Sequence, residues 1–252
     1  MRQPLDWQLA TVKEIRPETA RVKTFALLLP NWMPHRAGQH YDVRLTAADG
    51  YQAQRSYSIA SEPGRTGEIE LTVERIGDGE VSRYMHDVVG GGGQIEVRGR
   101  SGGYFVWDPD SPEPLLLIAG GSGVVQLMSM LRHRAAIGNW SPARLLYSSR
   151  EFDDIIYYEE LEKLRGDGTG LEVFHTLTRS RPEGWSGYSR RIDDAMLKEI
   201  VKPLRQVPQV FICGPTLLVE SAASALVRLG LPAAHIRTER FGPTTVPVTA
   251  GA

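Results

Sequence analysis

A cation, an aromatic ring and three serine hydroxyls crowd into one run, Gln54-Arg55-Ser56-Tyr57-Ser58-Ile59-Ala60-Ser61. Side chains on an extended strand alternate between its faces. Arg55, Tyr57 and Ile59 therefore share one side, and Ser56, Ser58 and Ala60 the other. A guanidinium suits a phosphate, a flat ring suits stacking, and a small hydroxyl suits a hydrogen bond at a ring edge. That set fits a flavin nucleotide, and it also fits an ordinary strand of mixed polarity.

Four further segments could do chemistry. Gly79-Glu80-Val81-Ser82 leads into a helical stretch, so its free N–H groups and the helix dipole suit a pyrophosphate, with Ser82 expected as the N-cap. Gly120-Gly121-Ser122-Gly123 closes an apolar run and opens another helix, the arrangement in which backbone approaches a phosphate closely. Cys213-Gly214-Pro215 ends a later strand, where open α/β sheets bind ligands. Glu239-Arg240-Phe241 ends the last strand with a carboxylate and a ring. Arg150 and Arg179 stand at two other strand ends and suit the 2′-phosphate of NADPH; the acidic Glu151 and Asp153 nearby are what a reader of the NADH ribose would use.

Two kinds of periodicity position these residues. In the first part, short strands at Leu9–Ile15 and Thr24–Leu29 precede an alternation in which Ile69, Leu71 and Val73 interleave with Glu68, Glu70, Thr72 and Glu74. That pattern predicts a half-buried antiparallel strand, and Ile95 and Val97 repeat it. Turn signals at Asp49-Gly50, Pro63-Gly64 and Gly77-Asp78-Gly79 suggest a small antiparallel β-barrel, with one helix from about Val81 to Val89. In the second part the continuous apolar run Leu115–Ala119 reads as a strand covered on both faces. Strand and helix patterns then alternate to the end, predicting an α/β doubly wound parallel sheet. The proline-rich segment from Asp108 to Pro114 separates the parts, giving an expected first domain over 1–110 and a second over 111–252.

The run around Tyr57 matches the R-x-Y-S-I/L-A-S motif of the ferredoxin–NADP reductase superfamily. Gly38-Gln39, the segment from Gly79, Gly120-Gly121-Ser122-Gly123, Cys213-Gly214-Pro215 and Glu239-Arg240-Phe241 stand in that family's order. The chain thus resembles the family over nearly its whole length. The resemblance implies FAD on the barrel, with Arg55 at the pyrophosphate, Tyr57 stacked on the isoalloxazine and Ser58 near its hydride-accepting nitrogen. Ile59 completes the motif, and Glu80, Val81 and Ser82 face the pyrophosphate. It implies NADPH or NADH at Gly120–Gly123, Arg150, Arg179 and Cys213–Pro215, with Cys213 orienting the nicotinamide. Ser58, Cys213 and Glu239 become the catalytic candidates, and Phe241 covers the flavin until nicotinamide displaces it. Electrons would pass to a ferredoxin, a flavodoxin or an oxygenase component.

Three departures stand out: Gln126 where the family's glycine loop carries proline, Arg100-Ser101 at the end of the barrel, and Gly90-Gly91-Gly92-Gly93 where a shaped loop is usual. Gln126 is expected to loosen the second helix, four glycines to cost the loop its order, and Arg100 to seek an anion. Two other readings follow: a diaphorase without a protein partner, and a flavin-binding electron-transfer or sensory module whose nicotinamide site is degraded.

Bulk properties bound these readings. The chain has 252 residues, 41% hydrophobic and 23% charged, with a formal net charge of −1, which leaves no electrostatic footprint for nucleic acid. One cysteine cannot hold an iron–sulfur cluster or an intrachain disulfide, and no His/Cys spacing suits a metal. No run reaches the roughly 18 apolar residues of a membrane helix, and no targeting segment is legible, so a cytoplasmic protein is expected.

Overall fold

The computed structural model describes residues 6–166 and 168–241. The tail from Gly242 lies outside them. The first half is antiparallel: β1 (Gln8–Thr19), β2 (Val22–Leu28), β3 (His40–Thr46), β4 (Gln52–Ser58), β5 (Glu68–Glu74) and β6 (Gln94–Ser101) lie in the order β4-β3-β6-β1-β2-β5. The sheet curls so that its edges meet. Ile59 bridges Leu71, and the Ala60 N–H donates to Glu70 O at 2.8 Å, closing a barrel. Phe25, Leu27, Tyr41, Val43, Ile69, Leu71, Val81, Met85 and Val97 fill it. Helix α1 (Glu80–Asp87) plugs one end through Val81 and Met85.

The second half alternates. β7 (Leu115–Gly120), β8 (Ala143–Ser149), β9 (Leu171–Leu177), β10 (Gln209–Pro215) and β11 (Ile236–Phe241) form a parallel sheet in the order β11-β10-β7-β8-β9. Helices α2 (Val124–Ala136), α3 (Tyr158–Gly166), α4 (Asp194–Val201) and α5 (Thr216–Arg228) cover it. The Asp193 side chain caps α4 by accepting from the Met196 N–H at 2.8 Å. Each face of the sheet carries its own apolar core. One core includes Val22, Ala37, Ala60, Phe105 and Trp107 from the barrel half, so the two halves share apolar packing. Among the described residues, no helix is long and apolar enough to cross a membrane.

Several expectations need correction. β1 runs on to Thr19, with Pro17 at a register shift, a strand position at which proline is tolerated. β5 is not half-buried: Glu70 and Thr72 are buried too, since the second half covers the outer face of that strand. α1 stops at Asp87, not Val89. The four-glycine loop is shaped. Gly92 N–H donates to Val12 O, Val12 N–H to Gly93 O and Gly93 N–H to Gly90 O, at 2.8, 2.8 and 3.0 Å. Gly92 turns at φ +80°, which favours glycine.

Candidate active site

β4 carries the first group of residues. Arg55 is exposed and donates only to the carbonyl of Gln54, at 2.6 Å; no carboxylate among the described residues pairs with it. Tyr57 is half-buried against the barrel core, and burial pushes its phenol up to about 12 despite the charge of Arg55. Ser58 is half-buried, opposite His40 in the β3–β4 register. Ile59 sits wholly inside the barrel, and its N–H is taken by Gln39 O at 3.0 Å, so only its carbonyl is left to meet a ligand.

The start of α1 differs from the expected cap. Gly79 holds the N-cap position and no side chain caps the helix. Ser82 stands inside the first turn, where its hydroxyl accepts from the Ile76 N–H at 3.1 Å and donates to Gly79 O at 3.3 Å. It fastens the preceding turn instead of capping. Val81 is core, and the Glu80 carboxylate accepts from the Tyr51 hydroxyl at 3.0 Å. What this segment offers a phosphate is therefore backbone N–H, which a helix start leaves free.

A cleft of about 450 Å³ opens at the carboxyl ends of the parallel strands. Its walls include Gly120, Gly121 and Ser122 where β7 ends, Ser148, Ser149 and Arg150 where β8 ends, Thr178 just after β9, Pro215 at the end of β10 and Phe241 at the end of β11. Thr19, Arg21 and Glu74 of the barrel close its far side, and the Ser122 hydroxyl donates to Glu74 at 2.9 Å across the boundary. Glycine is required here: a Cβ on Gly123 would stand 2.2 Å from the carbonyl oxygen of Cys213, so α2 can start against β10 only without a side chain. Gly121 adopts φ +53°.

Cys213 is 4% exposed, and burial, then the nearby charge of Glu239, pushes its thiol up, which favours the neutral thiol over the nucleophilic thiolate. Cys213 and Glu239 are direct partners in the β10–β11 register. Each lies two residues before a cleft-lining residue, Pro215 and Phe241, and so on the same strand face, beneath it. Gln126 does not loosen α2. It is 1% exposed in an unbroken helix, and its Nε2 donates to Glu239 Oε1 at 2.8 Å. The Arg100 guanidinium donates to Pro34 O at 3.0 Å and pairs with no carboxylate among the described residues.

Of the two predicted arginines, Arg150 lines the cleft and Arg179 does not; Thr178 takes that place. Arg191 lines it instead, and neither Arg150 nor Arg191 has a carboxylate partner among the described residues. Sequence reasoning missed Arg191, Thr19, Arg21, Asp154 and Ser221. They come from the end of β1, from loops and turns, and from α5, with no motif of their own, and only folding brings them to one rim.

The family model for an oxidoreductase FAD-binding domain matches residues 7–106, and that for an oxidoreductase NAD-binding domain matches 117–224. The chain is 35% identical over 237 residues to ferredoxin–NADP reductase B of Sorangium cellulosum, covering 91% of each. The chain belongs to the ferredoxin–NADP reductase superfamily. Within the superfamily it is 30% identical to the glycine betaine monooxygenase reductase subunit of Chromohalobacter salexigens; that alignment covers 92% of the chain but only 64% of the subunit's length. A ferredoxin–NADP reductase of Neisseria gonorrhoeae, solved with bound FAD and NADP, superposes with a TM-score of 0.77 at 19% identity, over 93% of this chain and 98% of that one. The likeness in fold is thus preserved where sequence identity is low.

Proposed function

We propose that this chain is an NAD(P)H-dependent flavoprotein reductase that takes a hydride from NADPH, or less readily NADH, and delivers electrons to a ferredoxin, flavodoxin or oxygenase component. The observation that carries the reading is the cleft. It lies at the carboxyl ends of a parallel sheet, with a glycine-lined helix start on one side, unpaired arginines at its rim and the barrel at its back. The division between the two halves falls at Asp110/Ser111.

The residues present fit FAD. Arg55 is a cation with no carboxylate partner among the described residues, α1 offers free N–H groups, and Tyr57 and Ser58 present a ring and a hydroxyl from adjacent positions of β4. Bound FAD supplies the hydride acceptor and the conversion of a two-electron donor into single-electron delivery. Arg55 holds the pyrophosphate by a charge-assisted contact, Tyr57 supports the ring, and Ser58 bonds its edge. Gly120, Gly121, Ser122 and Gly123 admit the nucleotide's phosphates, and Gly214 lets its ring approach closely. Cys213, as a neutral thiol, orients the nicotinamide. Arg150 and Arg191 hold the 2′-phosphate, with Arg179 outside the cleft as a weaker contributor. Phe241 gives way when the ring enters. The acceptor is proposed from relatives named as reductase subunits, and the reaction belongs where reduced nicotinamide nucleotides are kept, the cytoplasm.

The test is anaerobic stopped-flow absorbance of the FAD-loaded protein mixed with NADPH and, separately, NADH. Rapid bleaching of the flavin band, faster with NADPH, is expected. A band that both nucleotides leave oxidised while dithionite reduces it would replace this reading with that of a flavin module lacking a working nicotinamide site.

A further inference from the structure

Gln126 is an expensive residue where it stands. It is buried on α2, and its carbonyl Oε1 has no donor, a cost that an apolar side chain of the same shape would avoid. What the amide gains is one contact, Nε2 to Glu239 Oε1 at 2.8 Å. A carboxylate can only accept, so the contact also fixes which end of the amide points to it. Gly123 lets α2 press onto the carbonyl of Cys213, and that close approach brings Gln126, one turn further along, within reach of β11. Glu239 is itself only half-buried. Without Gln126 its carboxylate could swing to water.

We propose that Gln126 is a positioning residue that holds the Glu239 carboxylate beside Cys213, beneath Phe241, where the nicotinamide must sit. This rests on the reductase reading. NAD(P)H that gives up its C4 hydrogen with both electrons leaves as a cationic ring, while the flavin is reduced by that pair. A carboxylate fixed next to the ring stabilises the positive charge as it develops, so it acts on the transition state more than on nucleotide binding.

Four proteins test this: wild type, Gln126→Met, Glu239→Gln and the double variant. Gln126→Met keeps the volume, removes the donor and relieves the orphaned carbonyl, so its melting temperature should equal or exceed that of wild type. Its single-turnover reduction by NADPH should slow about tenfold, with NADP⁺ affinity changed by less than about twofold. Glu239→Gln should show a similar loss, and the double variant no more than the larger single loss, because the two act through one carboxylate. Potentiometric titration of bound FAD gives a second readout. Loss or release of the negative charge should move the midpoint positive in both single variants, without summing in the double. Wild-type speed in Gln126→Met, losses that multiply, or a potential moved by Glu239→Gln alone would overturn the proposal. If wild type is not reduced by either nucleotide, the reductase reading fails, and the potentials alone still decide whether Gln126 acts through Glu239.

Discussion

At the scale of single residues, the chemistry rests on groups kept in one protonation state and one place. Burial, with the charge of Glu239, pushes the Cys213 thiol up and so favours its neutral form. Charge is treated differently at the rim of the cleft, where Arg150 and Arg191 stay exposed and unpaired among the described residues. Such a cation contributes mainly when a phosphate arrives. Arg191→Ala should therefore raise the KM for NADPH about tenfold and leave that for NADH within about twofold, measured by steady-state reduction of a small acceptor. An equal effect on both nucleotides would mean that Arg191 serves the shared pyrophosphate.

At the scale of elements, two junctions set the geometry. The contact of α2 with β10 depends on Gly123. Gly123→Ala places a methyl group into backbone, and about 1–3 kcal/mol of overpacking cost is expected in urea unfolding. The second junction is the outer strand β9, where His175 lies among the rings of Tyr147, Tyr158 and Trp185 with neither ring nitrogen hydrogen-bonded. Burial, with the charge of Arg165, pushes its imidazolium down to about 4. The unfolded chain, titrating near 6.5, binds a proton in this window that the folded chain refuses. Stability is thus complete above about 6.5 and is lost as pH falls towards 4, by roughly 3 kcal/mol in all. His175→Phe should remove that part of the acid dependence, as read from urea midpoints at pH 7 and pH 4.5; parallel loss in both proteins would place the sensitivity elsewhere.

At the scale of the molecule, the halves are joined by a buried ionic cluster as well as by apolar packing. Arg132 on α2 donates to Glu70 at 3.0 Å and to the carbonyl of Ala60 at 2.8 Å, pairs doubly with Glu160, and lies 4.9 Å from the ring centre of Tyr157. Glu70 also accepts from Arg16 and Arg65 at 2.6 and 2.8 Å. Burial pushes the Glu70 carboxyl up, but these guanidinium groups outweigh it and hold the group below the ordinary carboxylate range. Tyr157, at φ +61°, bonds Thr72 of the barrel. Arg132→Met should cost about 3 kcal/mol and split thermal unfolding, seen by calorimetry, into two transitions as the halves lose their brace. A single transition at the wild-type midpoint would show that the apolar interface alone joins them.

Local pattern determined the elements. Alternation at Ile69, Leu71 and Val73 and the apolar run from Leu115 state their own periods, and the order of the glycine and aromatic motifs placed the flavin and nicotinamide halves in the chain. The sequence could not say which side chains a fold would bring together. Ser82 reads as a cap until the turn before it claims its hydroxyl, and Glu70 reads as a solvent-facing residue until the second half covers it. Arg191 and Arg179 look alike in the chain, yet only one reaches the cleft. Gln126 looked like damage to a motif, and packing made it the partner of Glu239. Backbone periodicity is set by near neighbours along the chain. Burial, pairing and charge at the site are set by residues a hundred positions apart, so only the tertiary structure decides them.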